Sequence, residues 1–272
     1  MRIAFIGGGH MTTALVGGLL RHGTAVDSLR VADPVPSQLE RLAYEFGVRG
    51  STDNREVVAD ADLLVLAVKP QDMAQAARDI ASEITGRRRL VVSVAAGIRL
   101  ADLARWLGDG VPMVRAMPNR PALIGAGITA LYAGAGITAD DRGAVERLMS
   151  AAGETVWLDQ ESQMDAATAI SGSGPAYFFL LIEALEAAGM AIGLPHETSR
   201  RLAAATARGA GRMAAESGLE PATLREQVTS KGGTTAAALE VMEVGGLRGI
   251  VKSAVEAAAR RSVELADQSG GG

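Results

Sequence analysis

The chain has 272 residues, enough for one large or two modest domains. Its 48% apolar and 21% charged residues are ordinary for a soluble globular protein and exclude a disordered chain. The net charge is −4, and the aromatic residues are two Trp, three Tyr and four Phe. Because this provides neither a basic surface nor stacking platforms, we predict that the protein does not bind nucleic acid.

The cysteine and histidine content limits the chemistry further. No cysteine is present, which excludes disulfides, thiolate nucleophiles and cysteine-bound metal centres. The three histidines are too dispersed to predict a metal site. No apolar run reaches the roughly 18 residues that a membrane helix needs, and the N-terminus has no secretory signal. We therefore expect a cytoplasmic protein without membrane contact.

The first half of the chain alternates short apolar runs with amphipathic helical patterns. The runs that predict strands are Arg2–Ile6, Leu29–Ala32, Asp62–Val68, Leu90–Val94, Pro112–Met117 and Ile128–Tyr132. Helical patterns follow Gly9 and cover Gln38–Phe46 and about Pro70–Ile84. This alternation predicts an α/β domain with a mainly parallel sheet, which we place at residues 1–158.

The second half shows only helical patterns. We predict helices at Pro175–Ile192, Pro195–Glu216, Pro221–Val228, Thr234–Glu243 and Leu247–Leu265. Several carry small or apolar residues on nearly every side, as in Leu202–Gly211, and such helices must be buried. Five helices cannot bury this apolar surface by packing on one another alone. We therefore predict that residues 159–268 form an all-α domain that a second chain partly covers. Residues 269–272 predict a disordered tail.

A glycine-rich turn follows the first predicted strand. The segment Ile6-Gly7-Gly8-Gly9-His10-Met11 leaves a strand and opens a helix. Gly7 permits a tight turn, and Gly9 lets the backbone approach a pyrophosphate at the helix N-terminus. Thr12 stands in place of the third glycine of the dinucleotide fingerprint, which predicts a slightly wider contact between helix and strand. The alternative is a glycine loop without a ligand.

Three further segments end predicted strands, where ligands bind in open α/β sheets. Asp33 is placed to accept both ribose hydroxyls of NAD and to repel the 2′-phosphate of NADP, or it is a turn residue before Pro34. Lys69 can meet a phosphate or ribose, or it is a solvated lysine. The small residues of Ser93–Gly97 leave room for a flat ring, or they serve close packing.

Two hydroxyl-rich segments lie in the helical half. Ile170–Tyr177 contains two serines and two glycines before a predicted helix, which is more than an N-cap at Ser171 or Ser173 requires. Thr229–Thr235 holds four hydroxyls, two glycines and Lys231 directly before a helix. Such a loop suits a carboxylate or phosphate through free N–H groups, although a purely structural loop is the alternative.

Taken together, these segments resemble the pyrroline-5-carboxylate reductase family from Arg2 to about Leu265. The most specific parts are Ser171–Tyr177 and Thr229–Thr235, supported by Ala67–Gln71 and Arg115–Asn119. The resemblance implies an N-terminal Rossmann domain and a C-terminal helical domain that interlocks with a partner chain in a homodimer, which assembles further in many members. It also implies reduction of 1-pyrroline-5-carboxylate to L-proline with NADPH, and NADH as a second candidate.

The resemblance further implies site residues. Those matching cofactor contacts in the family are Ile6, Gly7, Gly8, Gly9, His10, Met11, Asn54, Val68, Lys69, Pro70, Ala95 and Ala96. Those matching positions around the substrate ring are Glu161, Ser230, Thr234 and Thr235, with Thr168 close by. His10 and Thr12 depart from the family's usual asparagine and alanine. Asp33 replaces a phosphate-tolerant residue, which weakens the inference of an NADPH preference.

Two other functions compete with this interpretation. A hydroxy-acid dehydrogenase of the same two-domain plan would place a catalytic lysine on the first long helix of the second domain, but Ala176–Ile192 contains no lysine. A non-catalytic dinucleotide-binding module would not need the hydroxyl-rich loop before Thr234. A protonated imine is already electrophilic, so a reductase needs chiefly to align substrate and cofactor, which agrees with the lack of a metal site and of a cysteine nucleophile.

Overall fold

The computed structural model describes residues 1–84 and 87–269. The chain divides into two compact units. The first comprises Met1–Ser173 together with the C-terminal segment from Ala258, and the second comprises Gly174–Ala257. Ser269 is the last residue of the final helix, whereas the predicted disorder of residues 270–272 lies outside the described residues.

The first unit is built on one eight-stranded sheet. Its strands are β1 (Ile3–Ile6), β2 (Leu29–Ala32), β3 (Arg49–Ser51), β4 (Leu63–Leu66), β5 (Leu90–Ser93), β6 (Met113–Met117), β7 (Gly127–Ala133) and β8 (Gly153–Trp157). The strand order is β3-β2-β1-β4-β5-β6-β7-β8, and only the β6–β7 pair is antiparallel. The first six strands thus form the doubly wound arrangement that binds nucleotides at its carboxyl edge.

Among its described residues, seven α-helices belong wholly to this unit. They are α1 (His10–Arg21), α2 (Pro36–Phe46), α3 (Asn54–Val58), α4 (Pro70–Ile84), α5 (Leu100–Leu107), α6 (Ala139–Ser150) and α7 (Gln163–Ala167). Apolar residues alternate between the two faces of the central strands. Along β1, Ile3 and Phe5 pack into one apolar cluster and Ala4 and Ile6 into the other. Both faces of the sheet are therefore covered, as the near-continuous apolar strands predict.

The sequence patterns miss two strands at the edges of the sheet. β3 is three residues long and polar, and two of its residues are exposed. β8 alternates between half-buried and exposed residues. An edge strand has one neighbouring strand and needs little apolar sequence, so neither segment carries the buried-strand pattern. The six strands that the sequence predicts are all present.

The second unit contains only helices among its described residues. They are α8 (Gly174–Ala191), α9 (His196–Glu216), α10 (Pro221–Gln227), α11 (Thr234–Val244) and the first half of α12 (Leu247–Ser269). Large apolar side chains are exposed around α8, where Phe178, Phe179 and Leu180 are 65%, 59% and 65% exposed. Three consecutive residues of a helix point in three directions, so α8 is exposed on most of its sides. The sequence predicts this exposure, because an apolar helix of this kind packs against a second chain.

One expectation about membranes needs correction. The helical run Gln163–Ala191 is long and apolar enough to cross a membrane by length and composition, and 11% of its most apolar window is buried. Glu183 and Glu186 interrupt the apolar sequence of this helix, whereas a mean hydropathy over 18 residues tolerates two charged residues. A helix that packs against a partner chain has the same composition.

The compact units also divide the chain at a different place from the boundary predicted after residue 158. Residues 159–173 belong to the first unit, as does the end of α12. Met164 is fully buried there, and the hydroxyl of Ser262 on α12 donates to Asp165 Oδ1 at 2.6 Å. These contacts place the division at Ser173, while the predicted domain boundary stays a prediction.

Candidate active site

The loops that carry the predicted cofactor residues follow five neighbouring parallel strands. The last residues of these strands are in register, with Ile6 beside Ala32 and Leu66, and Leu66 beside Ser93. Ser51, the last residue of β3, pairs with Ala32 in the same way. The predicted cofactor residues therefore lie in or directly after loops at one edge of the sheet, where a dinucleotide binds in this fold.

The glycine turn has the backbone geometry that its sequence predicts. Gly7 adopts a φ of +102°, and a Cβ atom there would lie 2.6 Å from the carbonyl oxygen of Ala67. Its N–H donates to the carbonyl of Ala32 at 2.7 Å. A Cβ atom at Gly9, the residue before α1, would meet nothing within 4 Å. Gly7 is thus fixed by the neighbouring strands, whereas Gly9 borders open space that a ligand can enter.

Thr12 has a more specific role than the wider contact that the sequence predicts. Its side chain is buried, and its hydroxyl donates to the carbonyl of Gly7 at 2.5 Å. The hydroxyl fills the space left beside the turn and satisfies a buried carbonyl. His10 and Met11 begin the same helix, with His10 exposed and Met11 half-buried.

Asp33 lies directly against the glycine turn. Its Oδ2 accepts the N–H of Gly8 at 2.7 Å, and its Oδ1 accepts the N–H of Val35 at 2.8 Å. Asp33 therefore forms the turn that the sequence offers as one alternative, and its contact with a cofactor ribose stays a prediction. Arg41 on α2 donates to the carbonyl of Gly8 at 2.9 Å and lies 3.6 Å from Glu45.

The other predicted cofactor residues are accessible to different degrees. Lys69 and Ala96 are exposed, Asn54, Val68 and Pro70 are half-buried, and Ala95 is buried. Asn54 opens α3, where the side chain of Asp53 caps the helix by accepting the N–H of Arg55. Pro70 occupies the first position of α4, as predicted.

A cleft of about 770 Å³ joins some of these residues to the end of α12. Pro70, Ala96 and Thr168 line one part of it, and Arg261 and Gln268 line another. All five residues belong to the first unit. No sequence pattern predicts the contribution of α12, because Arg261 lies more than 100 residues beyond the last strand and a polar helix surface carries no local signal of which residues it faces.

Glu161 is engaged in two contacts within the first unit. Its Oε1 accepts the N–H of Leu100, the first residue of α5, at 2.9 Å. The same oxygen lies 3.2 Å from Nη1 of Arg115, whose side chain is 4% exposed. Glu161 thus balances a buried charge and fixes the start of α5, four residues after Ala96. A charged residue inside the apolar strand Met113–Met117 was the signal that could have revealed this pair.

Thr168 and Ser171 belong to a π-helical turn, Thr168–Gly172, that runs into α8. Their hydroxyls donate to the carbonyls of Met164 and Ala167, each at 2.8 Å. Ser171 therefore does not act as an N-cap, which corrects that alternative. Nδ2 of Asn119 donates to the carbonyl of Ser171 at 3.0 Å, so two of the segments that carry the family resemblance are in contact. Wide turns of this kind are frequent at functional sites.

The hydroxyl-rich loop lies in the second unit. Gly232 has a φ of +71°, and the N–H of Gly233 donates to the carbonyl of Ser230 at 3.0 Å. α11 begins at Thr234, and no side chain among the described residues caps it. Ser230 and Thr234 are exposed and Thr235 is half-buried. Amide groups at the start of α11 are therefore free to bind an anion, as the sequence predicts.

Comparisons with known proteins cover both units. Residues 161–265 match a family model described as pyrroline-5-carboxylate reductase dimerisation, and residues 2–97 match one described as NADP oxidoreductase, coenzyme F420-dependent. The chain is 47% identical to a pyrroline-5-carboxylate reductase of Pseudomonas aeruginosa, over 99% of this chain and 98% of that protein. It is 43% identical to one of Mycobacterium tuberculosis, over 97% and 96%.

Solved structures agree with these sequence matches. A pyrroline-5-carboxylate reductase from Coxiella burnetii superimposes with a TM-score of 0.94 at 38% identity, covering 97% of this chain and 98% of that one. A pyrroline carboxylate reductase from Plasmodium falciparum with NADP bound has a TM-score of 0.85 at 29% identity, covering 98% of both chains. The similarity thus extends over both units.

Proposed function

This chain belongs to the pyrroline-5-carboxylate reductase family, and from that premise we propose how its own residues carry out the reaction. It is an oxidoreductase of proline biosynthesis that reduces 1-pyrroline-5-carboxylate to L-proline. The observation that carries the proposal is the carboxyl edge of the sheet, where the glycine turn, Asp33 and the loops after β4 and β5 converge.

The residues at this edge fit a nicotinamide dinucleotide. The open space at Gly9 and the N-terminus of α1 suit the pyrophosphate, and the small residues Ala95 and Ala96 leave room for the nicotinamide. When bound, the reduced nicotinamide would supply a hydride to the imine carbon, which becomes C5 of proline. Asn54, Val68, Lys69 and Pro70 would hold the rest of the cofactor.

We propose that the enzyme uses both NADH and NADPH and that Asp33 favours NADH. The carboxylate is held in place by two backbone N–H groups, so it cannot swing away from a 2′-phosphate without breaking a bond at 2.7 Å. Arg41 is the nearby cation, but it is engaged with the Gly8 carbonyl and Glu45. The family's common preference for NADPH is thereby weakened in this member.

The loop Thr229–Thr235 is the proposed substrate site. The amide groups at the start of α11 and the Ser230 hydroxyl would bind the substrate carboxylate, with Thr234 beside it. Thr235 would hydrogen-bond the ring nitrogen, which becomes the amine of proline. Because a protonated imine accepts a hydride readily, positioning supplies much of the rate acceleration.

We assign Glu161 to positioning, since its carboxylate holds Arg115 and the start of α5. Through Leu100 it fixes the segment that leads from Ala96 into α5. Thr168, which lines the same cleft as Ala96, is proposed to border the bound ring.

We further propose a cytoplasmic homodimer in which one chain's Rossmann domain faces the other chain's substrate loop. The exposed apolar residues of α8 support this, because they belong to the segment that matches the dimerisation model. An assembly of several dimers is compatible with the same surface.

Activity is tested by mixing the purified protein with NADPH or NADH and pyrroline-5-carboxylate. We expect nicotinamide absorbance to fall in proportion to the L-proline formed. Turnover of a 3-hydroxy acid instead would favour the dehydrogenase alternative. Cofactor binding without turnover of any imine or hydroxy acid would favour the non-catalytic module.

A further inference from the structure

Asn119 joins the sheet to the π-helical turn Thr168–Gly172. It lies two residues after β6 and is 8% exposed. Its Oδ1 accepts the N–H of Ile128 on β7 at 3.0 Å, and its Nδ2 donates to the carbonyl of Ser171 at 3.0 Å. One partner can only donate and the other can only accept, so the orientation of the amide group is fixed. Both ends of this buried amide therefore hold backbone groups of separate segments.

The carbonyl of Ser171 needs a donor from outside its own helix. In an α-helix it would accept the N–H of the fourth residue further along the chain, which is Pro175 and has no N–H. The backbone bonds are also shifted at this turn, because the N–H of Ser173 donates to the carbonyl of Thr168, five residues back, at 2.8 Å. Asn119 thus supplies the donor that the proline removes.

Close packing fixes the same turn against the end of β6. A Cβ atom at Gly172 would lie 2.8 Å from Cε of Met117, the last residue of that strand. Met117 precedes Asn119 by two residues, and Gly172 follows Ser171 directly. A close contact and a hydrogen bond therefore set the position of the turn from one end of β6.

Thr168 begins this turn, and its position in the cleft depends on the turn. It lines the cleft of about 770 Å³ together with Pro70 and Ala96. Its hydroxyl proton is already engaged, because it is donated to the carbonyl of Met164 at 2.8 Å. Thr168 would therefore act on a bound ring through its shape and position rather than by donating a hydrogen bond.

We propose that Asn119 is a positioning residue of the reductase, which holds the π-helical turn so that Thr168 lies against the substrate ring. The inference rests on the proposed place of Thr168 beside that ring. It assigns Asn119 an effect on kcat, because hydride transfer requires close alignment of the ring and the cofactor. Cofactor binding should change little, since the glycine turn and Asp33 follow β1 and β2 rather than β6.

The test is steady-state kinetics of the full-length Asn119→Asp variant with NADPH and pyrroline-5-carboxylate between pH 6 and pH 9. The new carboxylate still accepts the N–H of Ile128, but it can no longer donate to the carbonyl of Ser171. Protonation restores a donor, and the neighbouring carbonyl raises the pKa of the new group because it favours the protonated form. We expect kcat to be roughly tenfold below wild type at pH 9 and to approach wild type toward pH 6, with the cofactor KM within about twofold.

Two further variants serve as controls. Gln75→Glu makes the same change from amide to carboxylate at an exposed position of α4, and its kcat should equal that of wild type at every pH. Asn119→Ala removes both hydrogen bonds and has no group to protonate, so its kcat should be lowered by a similar factor throughout the pH range. If Asn119→Asp fails to fold, Asn119→Ala decides, with a lowered kcat at an unchanged cofactor KM as the expected result.

The inference is overturned if the ratio of kcat in Asn119→Asp to that in wild type does not change with pH, or if Asn119→Ala keeps the wild-type kcat. Thr168→Leu separates this failure from that of the proposed function. A lowered kcat in Thr168→Leu with unaffected Asn119 variants means that Thr168 borders the ring without help from Asn119. Wild-type kcat in Thr168→Leu means that the ring lies elsewhere, and the proposed place of Thr168 then fails together with the inference.

Discussion

Asp33 at the end of β2 accepts the backbone N–H of Gly8 at 2.7 Å, so the acidic side chain and the glycine turn form one unit. The negative charge lies beside the turn that would receive the cofactor. We therefore expect the preference between NADH and NADPH to depend mainly on Asp33, whose carboxylate is fixed by two backbone N–H groups.

Replacement of Asp33 should shift this choice. In Asp33→Ser the like charge near the 2′-phosphate is removed, and the ratio of kcat/KM for NADPH to that for NADH should rise about tenfold, which corresponds to about 1.4 kcal/mol. Steady-state kinetics with both cofactors measure the ratio. Asp27→Ser, at an exposed aspartate before β2, is the control. An unchanged ratio would show that Asp33 does not face the ribose.

Thr235 provides the test of the substrate loop. Thr235→Ala should lower kcat/KM for the imine roughly tenfold or more, since losing a hydrogen bond in a desolvated site costs about 1–3 kcal/mol. Cofactor affinity should barely change. Thr223→Ala, at an exposed threonine of α10, should leave both unaffected. Comparable losses for cofactor and imine in Thr235→Ala would instead assign the loop to structure or to the cofactor phosphates.

A site shared between two chains makes inactive variants complementary. Gly9→Asp disables the cofactor turn, and Thr235→Ala with Ser230→Ala disables the loop. A mixed dimer carries one site with both defects and one with neither. Co-refolding of the two variants should therefore restore activity, because one of the two sites in each heterodimer is intact. Verified heterodimers as inactive as their parents would mean that each chain builds its site alone.

Removal of Glu161 should destabilise the protein rather than weaken substrate binding alone. Glu161→Ala leaves Arg115 buried and unpaired, and breaking a buried pair lowers the free energy of unfolding by about 3–5 kcal/mol. The lower end is expected, because the Glu161 side chain is 27% exposed. Urea unfolding measures the loss, and Arg115→Met with Glu161→Leu should recover much of it. A raised KM for the imine at unchanged stability would contradict the positioning role.

The lowered pKa of Asp141 predicts that the protein becomes less stable at acidic pH. Hydrogen bonds from Arg88 lower its pKa well below the usual value, and bonds from Thr138 add to this. A lowered pKa in the folded state means that the stabilisation is complete above the unfolded value, about 3.9, and is lost as the pH falls below it. Asp141→Asn should lower the Tm at pH 7 and flatten its decline from pH 5 to 3. Asp140→Asn, at the exposed neighbour, should follow wild type.

The sequence predicts the parts of the fold that have a local signal. The apolar strands β1, β4 and β5 and the start of α4 at Pro70 are where their patterns place them. The glycine turn also has the predicted geometry, since the left-handed φ of Gly7 is a property that few other residues allow.

What the sequence could not predict depends on contacts between distant segments. Glu161 and Arg115 are 46 residues apart, and neither residue indicates its partner. Ser262 and Asp165 are 97 residues apart, so no pattern indicated that the end of α12 belongs to the first unit. Polar edge strands such as β3 are not predicted from the sequence for a different reason. Few apolar contacts stabilise them, so they carry no apolar strand pattern.

The end of α12 has a consequence for synthesis on the ribosome. Asp267 pairs with Arg99 at 2.7 Å, and Gly97 packs close to Ala266, so the loop after β5 receives its last contacts from the C-terminal segment. A nascent chain that has emerged only as far as residue 173 lacks those contacts, although all eight strands have been made. Completion of the first unit therefore waits until the whole helical unit has been translated. The same dependence means that a gene fragment encoding residues 1–173 alone produces a nucleotide-binding domain with its β5–α5 loop uncovered.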